Sequence, residues 1–324
     1  AIIGMVVNAL YNVVDIIFVG QGDGEIGLVA VTLAFPLMVV LLAVGMFVGL
    51  GAGALVSIRL GQRDKEGAEL ILGNAVTLMI VLVLLTTAAS LIFLDPLLVL
   101  LGATPEVMPY ARDFSTIILA GSVFMHVSFG INNLIRAQGD PRTALKTMLI
   151  AALLNAALNP LFIFVFQMGI KGSAWATVLA QAVATVWVLA YFIRGKGTMR
   201  LTAKNLLLSR EIVDGIARIG MAPFLLQLSA SMVMVILNFK LLAYGGVLAV
   251  AAFGIVNRVL MLSLMPVMGI SQGAQPIIGF NYGAGNYRRV IEVVKLATIA
   301  ATAFCCLGFA AIFLFDAAII RLFN

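Results

Sequence analysis

Nine long apolar runs alternate with short polar gaps along the chain, at residues 1–19, 29–58, 70–94, 112–135, 143–166, 173–193, 223–243, 247–278 and 290–319. Each is near or beyond the ~20 residues that carry a helix across hydrocarbon. The longest runs are expected to tilt or to protrude into water. Gly and Pro interrupt several of them, which membrane helices tolerate better than soluble ones. The short alternating stretches of a transmembrane β-barrel are not the pattern here. The runs predict an all-α polytopic membrane protein. The first run could be mistaken for a signal peptide, but it has no basic leader and is punctuated by Asn8, Asn12 and Asp15. It reads as a true span. The chain opens without a polar lead-in and stops directly after a span, so both ends read as cut.

Composition agrees with the pattern. Of 324 residues, 63% are hydrophobic and only 10% are charged. A soluble domain carries about 25% charged residues, and no soluble surface can be built from so few. Twenty bases against fourteen acids give a net charge of +6. The bases sit in the gaps, so they are read as setting membrane orientation and not as a nucleic-acid surface. The adjacent Cys305 and Cys306 lie inside an apolar run and suggest neither a disulfide framework nor a metal site.

Gap charges alternate. The second gap holds Arg59, Arg63 and Lys65, and the fourth holds Arg136 and Arg142, with Lys146 just beyond. The sixth holds Arg194, Lys196, Arg200, Lys204, Arg210 and Arg218, and the eighth Arg288 and Arg289. The odd gaps are nearly free of bases. The even gaps and the N-terminal side are therefore expected in the cytoplasm. The sixth gap divides the chain into a six-helix lobe (1–195), a cytoplasmic linker (196–219) and three helices of a second lobe (220–324). Residues 201–220 suit either an interfacial amphipathic helix or a plain linker.

At an offset of 220, Gly49 falls on Gly269, Gly53 on Gly273, and one basic gap on another. An even number of spans separates the copies, so the repeat is parallel, as in many secondary transporters. Gly45, Gly49, Gly53, Ser57 and Gly61 form a small-residue stripe, read either as close helix packing or as a wall that slides.

Polar residues within the runs carry the candidate chemistry. Asp15 is the one acid clearly inside the first six spans. Asn8, Tyr11, Asn12 and Asp15 share one helical face. Asn155 and Asn159 repeat at i, i+4, as do Thr177 and Gln181, and Pro160 after Asn159 weakens the local helical bonding. Carboxylate, amide and hydroxyl oxygens suit a small hard cation, or a proton on the carboxylate. His126, the sole histidine, is a packing residue or a proton relay. Asn257 and Arg258 fall within the eighth run, where a buried Arg needs a partner or a wet cavity. No dinucleotide, phosphate-loop or zinc-protease motif is present. The reading is a non-enzyme without cofactors, driven by an ion gradient unless a separate subunit supplies the energy.

NALYNVVDIIFVGQGDGEIGLVAV at 8–31, LIRAQGDPRTALK at 134–146, LLNAALNPLFIF at 153–164, GIKGSAWATVLAQ at 169–181 and GISQGAQPIIGFNYGAGNYRR at 269–289 together resemble the MATE family, the multidrug and toxic compound extrusion transporters, over the whole chain. The resemblance implies two six-helix lobes around a cleft, of which nine helices of twelve are present. In prokaryotic DinF-like and MepA-like members an acid on the first helix binds Na⁺ or H⁺. Asp15 matches that acid, and Asn155 and Thr177 match polar ligands. Asn159 stands where many members have a second aspartate, a departure that removes one carboxylate from the site. The NorM-like branch uses a seventh-helix glutamate, and 223–243 contains no acid. The implied function is export of amphiphilic cationic compounds in exchange for H⁺ or Na⁺, by a monomer in a bacterial or archaeal plasma membrane. A lipid-linked precursor flippase and a non-transporting membrane protein stand as alternatives.

Overall fold

The computed structural model describes the backbone from Ile2 to Leu314. The side chains of 2–3, 5–14, 16 and 25, most of those between 235 and 263, and 311, 312 and 314 lie outside the described set. Eight α-helices follow one another: α1 (Ile2–Gly61), α2 (Lys65–Ile92), α3 (Leu94–Leu100), α4 (Met108–Ala137), α5 (Pro141–Pro160), α6 (Gly169–Ile193), α7 (Arg210–Gly283) and α8 (Tyr287–Leu314). Among the described residues seven stretches are long and apolar enough to cross a membrane. The first and eighth runs, with many side chains outside the described set, are not among those seven.

The first two runs are joined by a turn of one residue. Gly24 has φ +61° and ψ −145°, a conformation open mainly to glycine. The chain folds back there, because position 20 touches Leu28 and position 27 touches Val19. In an uninterrupted helix such pairs would stand roughly 11–12 Å apart. A similar reversal lies within α7. Gly220 packs on the Phe47 carbonyl, and Gln275 Nε2 donates to the Leu50 carbonyl at 3.1 Å. A straight helix would separate residues 220 and 275 by roughly 80 Å. The seventh and eighth runs therefore both return to the same stretch of α1.

Local chemistry explains the basic-side turns. After α1, Asp64 accepts from the Gly67 amide at 2.8 Å and caps α2. After α4, Asp140 accepts from the Thr143 amide at 3.0 Å and caps α5, with Pro141 at the first helical position. The third gap, which the hydropathy pattern leaves between two spans, contains most of α3. Of its leucines, Leu94 and Leu98 are buried in the lobe's core. At the end of α5, Pro160 is followed by a single π turn, Leu161–Val165, in which the chain rewinds around the missing amide donor.

Two apolar clusters form the core of the first lobe. One lies toward the basic ends and joins α1, α2, α4, α6 and Ile216 of α7. The other lies toward the opposite ends around Val19, Leu41, Phe114 and Val178. The most apolar stretch of α8 has no buried residue.

Helix α7 starts at Arg210, so the first half of the segment read as helix or linker is irregular, apart from a 3-10 turn at Ala203–Leu206. That stretch is fastened to α2. Asn74, fully buried, donates to the Asn205 carbonyl at 3.3 Å and accepts from the Ser209 amide at 2.6 Å. Thr77 donates to the Leu206 carbonyl at 2.7 Å. Gly73 admits the Asn205 backbone where a Cβ would collide with it. Upstream, Gln138 accepts from the Thr198 amide at 3.1 Å and donates to Tyr191, whose hydroxyl donates to Asp140. Burial pushes the Asp140 carboxyl up, but hydrogen bonds from Thr143 and Tyr191 outweigh it and hold it below the usual carboxylate range. Replacing Asn74 by Ala leaves buried backbone groups without partners, at a cost of about 1–3 kcal/mol. The expected result is tryptic cleavage at Lys204 roughly tenfold faster or more, with α-helix content unchanged. An unaltered cleavage rate would mean the linker is held elsewhere.

Candidate ion-coupling site

Five side chains from three elements meet inside the first lobe. Asp15 comes from the first arm of α1, Asn155 and Asn159 from successive turns of α5, and Ser173 and Thr177 from successive turns of α6. Asp15 lies nine residues before the Gly24 turn and Thr177 eight residues after the start of α6. At 1.5 Å per residue the site is roughly 12–14 Å from the end of the lobe opposite the basic gaps. Gly172 lets α6 approach the Phe162 backbone at the π turn, where a Cβ would come within 2.8 Å of its carbonyl carbon. That approach brings Ser173 toward α5.

The hydrogen bonds form one chain. Asn155 Nδ2 donates to Thr177 Oγ1 at 3.0 Å. Asn159 Nδ2 donates both to Asn155 Oδ1 and to Asp15 Oδ1, each at 2.8 Å. Ser173 Oγ donates to the same Asp15 oxygen at 2.9 Å. A carboxylate only accepts, so its presence orients both donors toward it. Asn155, Asn159 and Ser173 are fully buried. Asp15 has no salt bridge among the described residues. Asn159 Oδ1 is buried and has no partner among the described atoms. A buried amide oxygen without a donor is costly, and it is an acceptor held ready beside the carboxylate.

The sequence-derived candidates divide. Asp15, Asn155, Asn159 and Thr177 come together. Gln181 is half-buried and takes no part in this chain among the described bonds. His126 is fully buried in α4, where Nδ1 donates to the Ser122 carbonyl at 2.6 Å and the ring packs against Gly45. It is not joined to Asp15 through these bonds. The side chains of Asn8, Tyr11, Asn12, Asn257 and Arg258 lie outside the described residues. Ser173 was missed by the sequence reading. It stands four residues before Thr177, so extending the Thr177–Gln181 stripe one turn backward would have found it.

A second polar group lies at the opposite end of the lobe. Arg136, buried near the end of α4, donates through Nη1 to Gln272 Oε1 of α7 at 2.8 Å and through Nη2 to Asn133. Around it α1 and α7 touch backbone to backbone. Cβ atoms at Gly61, Gly220 and Gly283 would land on the carbonyls of Phe280, Phe47 and Ile58. The stripe read from the sequence mostly serves packing within the lobe. Gly45 and Gly49 face α4, and Ser57 donates to the Gly53 and Ala137 carbonyls. Only its last two members reach α7, Ser57 at Gly279 and Gly61 at Phe280. Gly51, off the stripe, also faces α7 at Ile216. These contacts lie toward the basic gaps.

The MatE family profile matches residues 1–161 and 221–324. The chain belongs to the MatE family. Among curated MatE-like relatives, Multidrug export protein MepA of Staphylococcus haemolyticus (strain JCSC1435) is 27% identical over 297 residues, 92% of this chain and 65% of that protein. MepA of Staphylococcus aureus (strain NCTC 8325 / PS 47) is 27% identical over 293 residues, 90% of this chain and 64% of that protein. The chain thus spans just under two thirds of these relatives. Two solved structures share the fold at TM-score 0.94. One is a MOP superfamily transporter from Pyrococcus furiosus described as having a binding pocket of reversed polarity, 31% identical over 99% of this chain and 71% of that one. The other is an outward-facing multidrug resistance MATE family transporter, 30% identical over all of this chain and 72% of that one. The MatE assignment fits an all-helical, multi-pass membrane protein of a transporter family.

Proposed function

We propose that this chain carries the ion-coupling lobe and the inner seam of an antiporter that exports amphiphilic, cationic compounds in exchange for H⁺ or Na⁺. The reading rests on one observation above the others. Asp15 is held inside the first lobe by neutral hydrogen-bond donors alone, with no basic residue paired to it among the described residues. An uncompensated carboxylate within a membrane span is costly and is met mainly where it binds an ion or a proton.

The geometry supports a simple exchange. Ionised Asp15 draws the Asn159 and Ser173 donors to one oxygen. A proton on Asp15 turns it into a donor, for which the unpartnered Asn159 Oδ1 is the adjacent acceptor once the amide rotates. A Na⁺ ion would take Asp15, Asn159 Oδ1 and neighbouring hydroxyl oxygens in place of those donors. Either event rewrites the bonds between the first arm of α1 and α5–α6. Access alternates when the two ion states favour different packings of the lobes. The basic gaps lie in the cytoplasm in this reading, so the seam at Arg136 and Gln272 closes the cytoplasmic side and the cleft opens outward.

The test is export of a fluorescent organic cation from vesicles of the purified protein, with Na⁺ and pH gradients imposed separately. Uphill movement under at least one gradient is expected. Downhill leak alone would overturn the antiporter, and movement of a lipid-linked precursor without the cation would select the flippase. Asn159→Asp adds a second carboxylate beside Asp15. It is expected to strengthen the dependence on Na⁺, with two anions about 4 Å from one cation. An unchanged Na⁺ dependence would place the ion away from Asn159.

A further inference from the structure

The linker between the lobes presents an apolar tip that the antiport reading does not use. Leu206, Leu207 and Leu208 are 37%, 80% and 46% exposed, three large apolar side chains in a row at the end of the 3-10 turn and in the irregular stretch that follows it. Lys204 and Arg210 flank them directly, and Arg194, Lys196 and Arg200 precede them in the same linker. All five are exposed, none forms a salt bridge among the described residues, and 194–210 contains no acid. The nearby Glu69 is already engaged by Lys65 and by the Arg200 amide.

Helix α2 fixes the height of this tip. Thr77 bonds the Leu206 carbonyl, twelve residues and roughly 18 Å from the start of α2 at Lys65. From Ile71 to Ile80 no α2 side chain is fully exposed, whereas Val81, Leu84 and Leu85 are 39%, 52% and 63% exposed. The tip thus sits where the charged base of α2 gives way to its exposed apolar belt. Lipid-exposed irregular backbone is not tolerated in hydrocarbon, which favours the headgroup zone as the level of this tip. A short apolar segment flanked by bases fits that zone when the headgroups are anionic.

We infer that residues 204–210 form a lipid-binding anchor, in which Leu206–Leu208 enter the leaflet on the basic-gap side while Lys204, Arg210 and their neighbours hold anionic phospholipid headgroups. The bonds of Asn74 and Thr77 tie this anchor to the first lobe, and Arg210 opens the helix that carries the second. Headgroup charge thereby acts on the connection between the lobes. The anchor does not depend on the identity of the exported compound or of the coupling ion.

The test places a Leu207→Trp probe in a Trp175→Phe/Trp187→Phe background, reconstituted in phosphatidylcholine vesicles. Each preparation contains the same fraction of brominated phosphatidylglycerol or of brominated phosphatidylcholine. The expected result is quenching by both lipids, at least about twofold stronger with phosphatidylglycerol at low salt and equalised by about 1 M salt, where the screening length falls to ~3 Å. Lys196→Gln/Lys204→Gln/Arg210→Gln should erase the preference while quenching by phosphatidylcholine persists. These positions and Leu207 are all exposed, so folding is not at stake. Absence of quenching by either lipid would place the tip in water or against a soluble partner and overturn the anchor. Equal quenching at low salt would overturn its charge selectivity, and with it the proposed ligand.

Discussion

Asp15→Asn is expected to reduce ion-coupled export to the level of empty vesicles while the protein still inserts and folds. The substitution retains size and leaves an oxygen for Asn159 and Ser173 to meet. It removes the one group of the cluster that can change charge. For Na⁺ the loss is a full negative charge: at about 4 Å and an effective dielectric near 20, about 4 kcal/mol, or about three orders of magnitude in affinity. For H⁺ the loss is complete, because an amide does not take up the proton. The measurement is export under a Na⁺ gradient and under a pH gradient, with light scattering to confirm a monodisperse protein. Wild-type coupling under either gradient would move the site elsewhere, and Arg258 would be the next residue to test. Ser173→Ala provides a graded companion. It deletes one hydrogen bond to a charged group, usually about 1.5–3 kcal/mol, and should shift the ion dependence without abolishing transport.

Gly61→Ala should open the seam on the basic side, whereas Gly53→Ala should not. The two substitutions add the same methyl group to the same helix, eight residues apart. At Gly61 the new carbon collides with the Phe280 backbone, which has no rotamer to yield. At Gly53 its nearest neighbours, the Asn133 carbonyl and Ala137, are 3.9 and 4.0 Å away, ordinary contact. Overpacking of this kind costs about 1–3 kcal/mol, which moves a two-state equilibrium roughly 5- to 150-fold. Spin labels at Arg63 and Arg288, in a Cys305→Ser/Cys306→Ser background, would report the separation of α1 and α8 across the seam. A longer population is expected for Gly61→Ala only. Matching distance distributions in both variants would show that the seam does not gate the cleft. The Arg136–Gln272 bond lies in the same seam. Its loss in Gln272→Ala would leave a buried guanidinium short of an acceptor and should push the distances in the same direction.

Much of this was legible in the sequence because the bilayer imposes simple rules. Runs of about twenty apolar residues, with bases confined to alternate gaps, determined the multi-pass helical class. The i, i+4 spacing of Asn155 and Asn159, and the isolation of Asp15 as an acid within the first lobe's spans, determined which residues to examine. Pro160 announced the break that the π turn realises. Family motifs then pointed to the transporter family that the MatE profile bears out.

Other features are decided by contacts between segments far apart in the chain. Ser173 looked like an ordinary small residue at the head of a run until α6 came against α5 and Asp15. Arg136 looked like another base in a cytoplasmic gap, yet it is buried because α7 folds back over it and supplies Gln272. The small-residue stripe was visible, but not that most of it serves α4 and that only Ser57 and Gly61 meet α7. The linker's composition suited a helix or a coil equally well; Asn74 and Thr77, about 130 residues earlier, hold it irregular against α2. Periodicity reports which face of a helix is apolar, and loop charge reports which way a span is oriented. Neither reports which neighbour that face will meet, because that depends on the packing of whole helices, and in a membrane such packing is set by close backbone approach and buried hydrogen bonds rather than by apolarity.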